Sequence, residues 1–225
     1  NVMESKDKNK IIDRYEKRLK ELGPVQESLG WLKGRQKLRF YVLKNIDNFH
    51  ESDSVLDVGC AFGDLKQFLI QSGWNGKYIG VDIVPGLILQ SRRKYKKIDV
   101  RELDILTDDF KEKTDWVFSS GALTSKTFEE DSYDYVEKML IKMFEICQKG
   151  VSVNFCSPNV TFQSEVNFHP NFDKILKIAS SITRRFSLIH DYMPYEFTLY
   201  LYKDDTLNSE INIFERFEDL HEKLK

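Results

Sequence analysis

The stretch VLDVGCAFGDL, residues 55–65, decides how the sequence is interpreted. A short apolar run at residues 54–58 is typical of a buried strand, and it ends in Gly59. Gly59 lets the backbone turn sharply because it carries no β-carbon, and Gly63 lets the next helix start close to the strand. The segment therefore predicts a strand, a glycine turn and a helix that together form a cradle for a ligand.

Strands and helices alternate along the chain around this turn. Strands are predicted at residues 54–58, 78–83, 98–103, 116–118, 151–155, 186–190 and 197–202, and helices at residues 6–22, 32–46, 65–71, 85–97, 131–148 and 172–182. This order predicts an α/β fold with a doubly wound, mostly parallel seven-stranded sheet and helices on both faces. No helix fits between His190 and Phe197, so the last strand is predicted to run antiparallel.

Composition and charge exclude several classes of protein. The chain has 225 residues and a formal net charge of -2, so no overall basic field attracts it to nucleic acid or membrane. No apolar run approaches the roughly 18 residues of a spanning helix, and residues 1–10 lack the apolar middle of a secretion signal. Cys60, Cys147 and Cys156 show no metal-ligand spacing, so we predict no metal site and a cytoplasmic location.

The glycine turn favours one kind of ligand over two others. A dinucleotide site needs three clustered glycines, whereas this turn carries Ala61 and Phe62, and Asp57 would repel a pyrophosphate. A phosphate-binding loop needs Gly-Lys-Ser/Thr, which is absent at residues 63–65. The ammonium and sulfonium of S-adenosylmethionine, in contrast, suit a carboxylate beside the turn.

Residues 56–63, LDVGCAFG, resemble the first motif of the class I S-adenosylmethionine-dependent methyltransferases, an acidic residue followed by G-x-G-x-G. Ala61 replaces the usual middle glycine. The resemblance implies that Asp82, which closes the second predicted strand, binds both ribose hydroxyls. It also implies that Asp104, predicted to end the third strand, contacts the adenine amino group. It covers roughly residues 50–203. Residues 119–123 and 190–200 also loosely resemble small bacterial methyltransferases whose acceptor is unassigned.

The resemblance implies a set of cofactor-binding residues and three regions. The residues are Asp57, Gly59, Cys60, Ala61, Gly63, Asp82, Ile83, Asp104, Ile105 and Ser119, with Gln36 and Arg39 before the domain. Arg39 could pair with the methionine carboxylate or simply face solvent on an amphipathic helix. The regions are an N-terminal helical cap, residues 1–50, a Rossmann-like methyltransferase domain, residues 51–203, and an acidic tail, residues 204–225. The tail carries a predicted amphipathic helix at residues 213–220.

The expected reaction is in-line methyl transfer from S-adenosylmethionine to an oxygen or nitrogen of a small molecule, such as a sugar or related metabolite. An RNA or protein methyltransferase and a non-catalytic cofactor-binding protein remain alternatives. The near-neutral charge disfavours nucleic acid, and no Asn/Asp-Pro-Pro-Tyr/Phe motif follows the fourth strand. His169 and His190 are the candidate imidazole bases, and the substrate candidates are Ser120, Asn154 and Tyr192.

Overall fold

The computed structural model describes residues 5–30, 34–126 and 129–225. Its helices are α1 Ser5–Leu22, α2 Gln36–Lys44, α3 Asp64–Gln71, α4 Pro85–Lys94, α5 Glu129–Ile146, α6 Phe172–Ile182 and α7 Glu218–Lys223. Its strands are β1 Val55–Val58, β2 Tyr78–Asp82, β3 Val100–Glu102, β4 Thr114–Ser120, β5 Cys147–Cys156, β6 Phe186–Ile189, β7 Glu196–Tyr202, β8 Leu207–Asn208 and β9 Ile213–Phe214. The start of the helix predicted at residues 32–46 lies outside the described residues.

The main sheet has seven strands in the order β3-β2-β1-β4-β5-β7-β6. Strands β1 to β5 pair in parallel, and β7 pairs antiparallel with both β5 and β6. The prediction of a mostly parallel sheet whose last strand runs antiparallel is therefore confirmed. The strand order reverses between β1 and β4, and in open α/β sheets such a reversal opens a crevice at the carboxyl ends of the strands.

Alternate residues of the strands face two hydrophobic cores. Leu56 of β1 packs with α5 and α6, where Met143 and Ile175 are fully buried. Val55 packs on the opposite face, with Leu43 of α2 and Leu69 of α3. Because successive side chains of a strand point to opposite faces, this alternation places helices on both sides of the sheet. The doubly wound arrangement leaves the carboxyl edge of the sheet free for a site.

Helix α1 packs outside these two layers, against the start of α4. Its apolar side, with Ile12 and Leu19, contacts a small cluster around Leu87. The Glu16 carboxylate accepts a hydrogen bond from the backbone N–H of Gly86 at 2.7 Å. The apolar side of α1 thus covers the beginning of α4.

Several element boundaries differ from the predictions. Helix α4 ends at Lys94 and does not reach Lys97, because Tyr95 already has an extended backbone with φ -125° and ψ 107°. The helix predicted at residues 213–220 is wrong in its first half: Ile213–Phe214 pairs with Leu207–Asn208 as a hairpin, and α7 begins only at Glu218. Asn212, with φ 56°, makes the turn that allows the hairpin. No described helix has the length and apolar character required to cross a membrane.

Candidate functional site

The glycine turn after β1 has the tight geometry that the sequence predicts. Gly59 and Gly63 both have φ 74°, a left-handed conformation that favours glycine. A β-carbon at Gly59 would lie 2.5 Å from Cβ of Ala122, and one at Gly63 would lie 2.5 Å from Cδ1 of Ile98. Ala61 also has a positive φ, 46°. This backbone conformation favours glycine, the usual residue at this position in the motif that residues 56–63 resemble.

A cleft of about 970 Å³, open to solvent, lies at the carboxyl ends of β1 to β4. We call it the cofactor cleft. Nine of the predicted cofactor residues line it, and they are Gln36, Asp57, Gly59, Cys60, Ala61, Asp82, Ile83, Asp104 and Ile105. The substrate candidate Ser120 also lines it, as do Ile11 and Tyr15 of α1. The structure therefore brings most of the predicted residues to one cavity.

Asp57 lies at the floor of this cleft and is 3% exposed. Its carboxylate accepts a hydrogen bond from the Tyr78 hydroxyl at 2.7 Å. Burial raises the pKa of Asp57 to about 7, although the Tyr78 hydrogen bond partly opposes the rise. A cation beside this carboxyl group would therefore favour its charged form near neutral pH.

Asp82 ends β2 and holds the glycine turn in place. Its carboxylate accepts hydrogen bonds from the backbone N–H of Ala61 at 2.9 Å and of Val84 at 3.0 Å. Burial raises the pKa of Asp82, and the hydrogen bonds from the backbone oppose that rise. Each carboxylate oxygen accepts more than one hydrogen bond, so Asp82 keeps acceptor capacity for a ligand in the cleft.

The sequence predicted that Asp104 ends β3. In the structure β3 stops at Glu102, so Asp104 lies in the loop that follows the strand. Its carboxylate accepts a hydrogen bond from the backbone N–H of Leu106 at 3.0 Å. The ammonium of Lys8 on α1 lies 3.0 Å from the same carboxylate. Helix α1 therefore supplies a cation at the mouth of the cleft, a contact that no spacing in the sequence indicated.

Three predicted cofactor residues do not line the cleft. Gly63 begins α3, and Ser119 is buried, with its hydroxyl donating to the carbonyl of Val58 at 2.9 Å. Arg39 is 2% exposed and forms a buried ion pair with Glu196, the first residue of β7. The interpretation of Arg39 as a solvent-facing side chain is wrong, because β7 places a carboxylate directly beside α2.

Glu196 is the residue of this region that the sequence analysis missed. Besides Arg39, its carboxylate accepts a hydrogen bond from the side-chain amide of Asn154 at 2.9 Å. Asn154 also donates to the Tyr192 hydroxyl at 3.3 Å, and Tyr192 lies 2.8 Å from the Thr198 hydroxyl. A charged residue at the start of the apolar strand EFTLYLY was the available signal. The substrate candidates Asn154 and Tyr192 thus belong to a buried polar network.

A second cleft of about 1010 Å³, also open to solvent, lies beside this network, and we call it the second cleft. Arg35, Arg39, Cys156, His169, Tyr195 and Glu196 are among its lining residues. The two candidate bases have different positions. His169 lines the second cleft, whereas His190 contacts the carbonyl of Pro194 at 3.2 Å and lines neither cleft.

Comparisons with known proteins find similarity to methyltransferases. Residues 55–150 match the family model described as a methyltransferase domain. The ribosomal RNA large subunit methyltransferase E of Brachyspira hyodysenteriae is 31% identical over 99 residues, which cover 44% of this chain and 48% of that protein. The chain thus spans about half the length of this relative. A putative methyltransferase of Mycobacterium tuberculosis is 23% identical over 164 residues, which cover 70% of this chain and 98% of that protein.

Solved structures show the same fold. The crystal structure of magnesium protoporphyrin IX methyltransferase from Synechocystis with bound SAH has a TM-score of 0.61 and 15% sequence identity. The match covers 87% of this chain and 99% of that one. Residues 55–150 are therefore similar to a methyltransferase domain, and the fold is shared with a methyltransferase whose structure contains bound SAH.

Proposed function

We propose that this protein transfers the methyl group of S-adenosylmethionine to an oxygen or nitrogen atom of a small molecule by in-line displacement. The observation that carries the proposal is the cofactor cleft, which is lined by Asp57 near the end of β1, Asp82 at the end of β2 and Asp104 after β3, three adjacent strands. When bound, S-adenosylmethionine supplies a methyl group that its sulfonium already activates. The protein then has to hold the donor, align the acceptor and exclude water, and alignment accounts for much of the rate.

The three carboxylates match three parts of the donor. Asp57 would face the cationic methionine end, Asp82 the two ribose hydroxyls and Asp104 the adenine amino group. Ile83 and Ile105 line the same cleft and supply apolar contacts for a flat base. The three carboxylates therefore fit a ligand that presents a cation, a diol and an amine along one edge of the sheet.

The second cleft supports a small acceptor. It is a concave site beside the cofactor cleft, and Cys156 at the end of β5 lines it. The formal net charge of -2 supplies no overall attraction to a polyanion. The magnesium protoporphyrin IX methyltransferase that shares this fold acts, by its name, on a small molecule.

An RNA acceptor is the second candidate, because one relative is a ribosomal RNA methyltransferase. Lys10, Arg14 and Lys126 line a third cleft, although Asp7 and Glu165 offset part of their charge. Such an acceptor predicts binding that weakens steeply with salt, whereas a small acceptor predicts little salt dependence.

The proposal is tested by a turnover screen that measures formation of the demethylated cofactor. The panel contains sugar nucleotides, sugar acids, amines, phenols and short RNA hairpins, each assayed at two salt concentrations. Turnover of a small molecule supports the proposal. Turnover of RNA alone would overturn it in favour of the second candidate. Calorimetric binding of S-adenosylmethionine without turnover of any acceptor would favour a non-catalytic binding protein.

The raised pKa of Asp57 predicts pH-dependent binding of the donor. The carboxyl group of Asp57 is largely protonated below pH 7, whereas the cationic end of the bound donor favours its carboxylate form. Donor binding at low pH must therefore release a proton from Asp57. We expect the affinity for S-adenosylmethionine to rise about tenfold from pH 6 to pH 8 and then to level off. Calorimetry over this range measures it. The Asp57→Asn variant serves as the control, since its binding should show no such rise.

A further inference from the structure

The two clefts share their walls. On α2, Gln36 and Phe40 line the cofactor cleft, whereas Arg35 and Arg39 line the second cleft. On the other side, a β-bridge joins Ser125, which lines the cofactor cleft, to Asn167, which lines the second. An acceptor in the second cleft would therefore lie next to a donor in the cofactor cleft.

His169 lines the second cleft and has a ring nitrogen without a hydrogen-bond partner among the described residues. Its Nδ1 lies 2.8 Å from the backbone carbonyl oxygen of Ser157. A carbonyl only accepts hydrogen bonds, so Nδ1 must carry the proton, and in the neutral ring Nε2 is left with the lone pair. Nε2 is buried and has no hydrogen-bond partner among the described residues. Ser157 thus orients the ring, and Nε2 keeps a lone pair that no described residue uses.

Arg35 supplies an unbalanced positive charge to the same cleft. Its Nε atom is buried without a hydrogen-bond partner in the described parts of the chain. The carboxylate of Glu196 is the one acid among the described lining residues, and it pairs with Arg39. The cleft therefore has one cation in excess, and a guanidinium binds a carboxylate through two parallel hydrogen bonds. Phe162, 79% exposed, and Tyr195, 41% exposed, line the cleft and provide apolar surface for a ring.

We propose that the second cleft binds a small acceptor that carries both a carboxylate and a hydroxyl group on a ring-shaped frame. Arg35 binds the carboxylate, and Nε2 of His169 removes the hydroxyl proton. The acceptor oxygen forms a bond to the methyl carbon while the carbon–sulfur bond breaks and leaves its electron pair on sulfur. The proton ends on His169, so the positive charge of the sulfonium is replaced by that of an imidazolium. This inference rests on the proposed function and narrows its substrate class.

The first test uses the wild-type protein with the demethylated cofactor bound. Calorimetry compares para-hydroxybenzoate and glucuronate with their neutral counterparts, para-hydroxybenzamide and glucose. We expect at least one acid to bind about 10- to 100-fold more tightly than its neutral counterpart. The Arg35→Gln variant should lose this preference, whereas Arg184→Gln, which removes an exposed arginine elsewhere, should keep it. Equal binding of each acid and its counterpart would overturn the role of Arg35.

The second test separates catalysis from binding at His169. In His169→Gln, we expect kcat for a hydroxylated acceptor to fall about 100- to 10,000-fold, with acceptor affinity within about threefold of wild type. For a fluorinated para-hydroxybenzoate, whose hydroxyl ionises without a general base, the same substitution should lower kcat much less. A structural role for His169 would lower both rates equally and overturn the proposal. His221→Gln, in the tail, is the control, and donor binding verifies that each variant is folded.

The outcomes also separate this inference from the proposed function. Turnover of neutral or amine acceptors, with hydroxylated carboxylates inactive, would refute the substrate class and leave the methyl transfer to a small molecule intact. Absence of turnover for every acceptor, although S-adenosylmethionine binds, would refute the proposed function itself.

Discussion

The Asp82→Ala variant is expected to bind S-adenosylmethionine about 30- to 1000-fold more weakly than the wild type, which corresponds to about 2–4 kcal/mol. Two ribose hydroxyls would lose a charged acceptor. The backbone N–H groups of Ala61 and Val84 would also lose the carboxylate that holds the glycine turn. Calorimetry with purified protein measures the effect, and an unchanged affinity would contradict the ribose assignment.

Two controls separate the loss of the ribose contact from the loss of the turn. Asp82→Asn keeps one amide oxygen for the backbone N–H of Ala61 or Val84, so it should retain more of the turn than Asp82→Ala. A donor analogue without ribose hydroxyls should bind the wild-type protein weakly. Its affinity should fall little further in Asp82→Ala. If Asp82→Ala instead weakens binding of the analogue as much as binding of the natural donor, the carboxylate supports the turn and does not bind the ribose.

The Glu196→Ala variant is expected to lower the free energy of unfolding by about 3–5 kcal/mol. It leaves the Arg39 guanidinium, 2% exposed, without its carboxylate, and it leaves the side-chain amide of Asn154 without its acceptor. An unpaired charge in the protein interior costs more than the pair contributes. Urea unfolding followed by circular dichroism measures the change.

A matched set of variants tests the origin of this loss. Replacing both partners with apolar residues, Arg39→Met with Glu196→Leu, should restore most of the stability, because no buried charge then remains. Glu210→Ala, at an exposed position in the tail, should change the free energy of unfolding by less than about 0.5 kcal/mol. A loss below about 1 kcal/mol in Glu196→Ala would show that the ion pair is solvated and contributes little.

Local patterns were sufficient for the sheet and for most of the residues that line the cofactor cleft. The strands around residues 55–58 and 78–82 are short apolar runs, and their periodicity does not depend on the rest of the chain. Asp57 and Asp82 lie at or near the ends of these strands, so the parallel order of the sheet brings them together. The tail was predicted less well, because the turn at Asn212 outweighed a weak helical pattern.

The acceptor side depended on contacts between distant parts of the chain. Arg39 and Glu196 are 157 positions apart, and no local pattern indicates that α2 and the start of β7 lie side by side. Likewise, the orientation of His169 depends on the carbonyl of Ser157 across a loop.

The sequence by itself determined that the chain folds around a glycine turn and made that turn the proposed donor site, because strand, turn and acid follow one another within a few residues. Only the tertiary structure decided which side chains face the second cleft. Burial can be predicted from hydrophobic periodicity, but the partner that satisfies a buried charge or orients an imidazole depends on how separate elements pack.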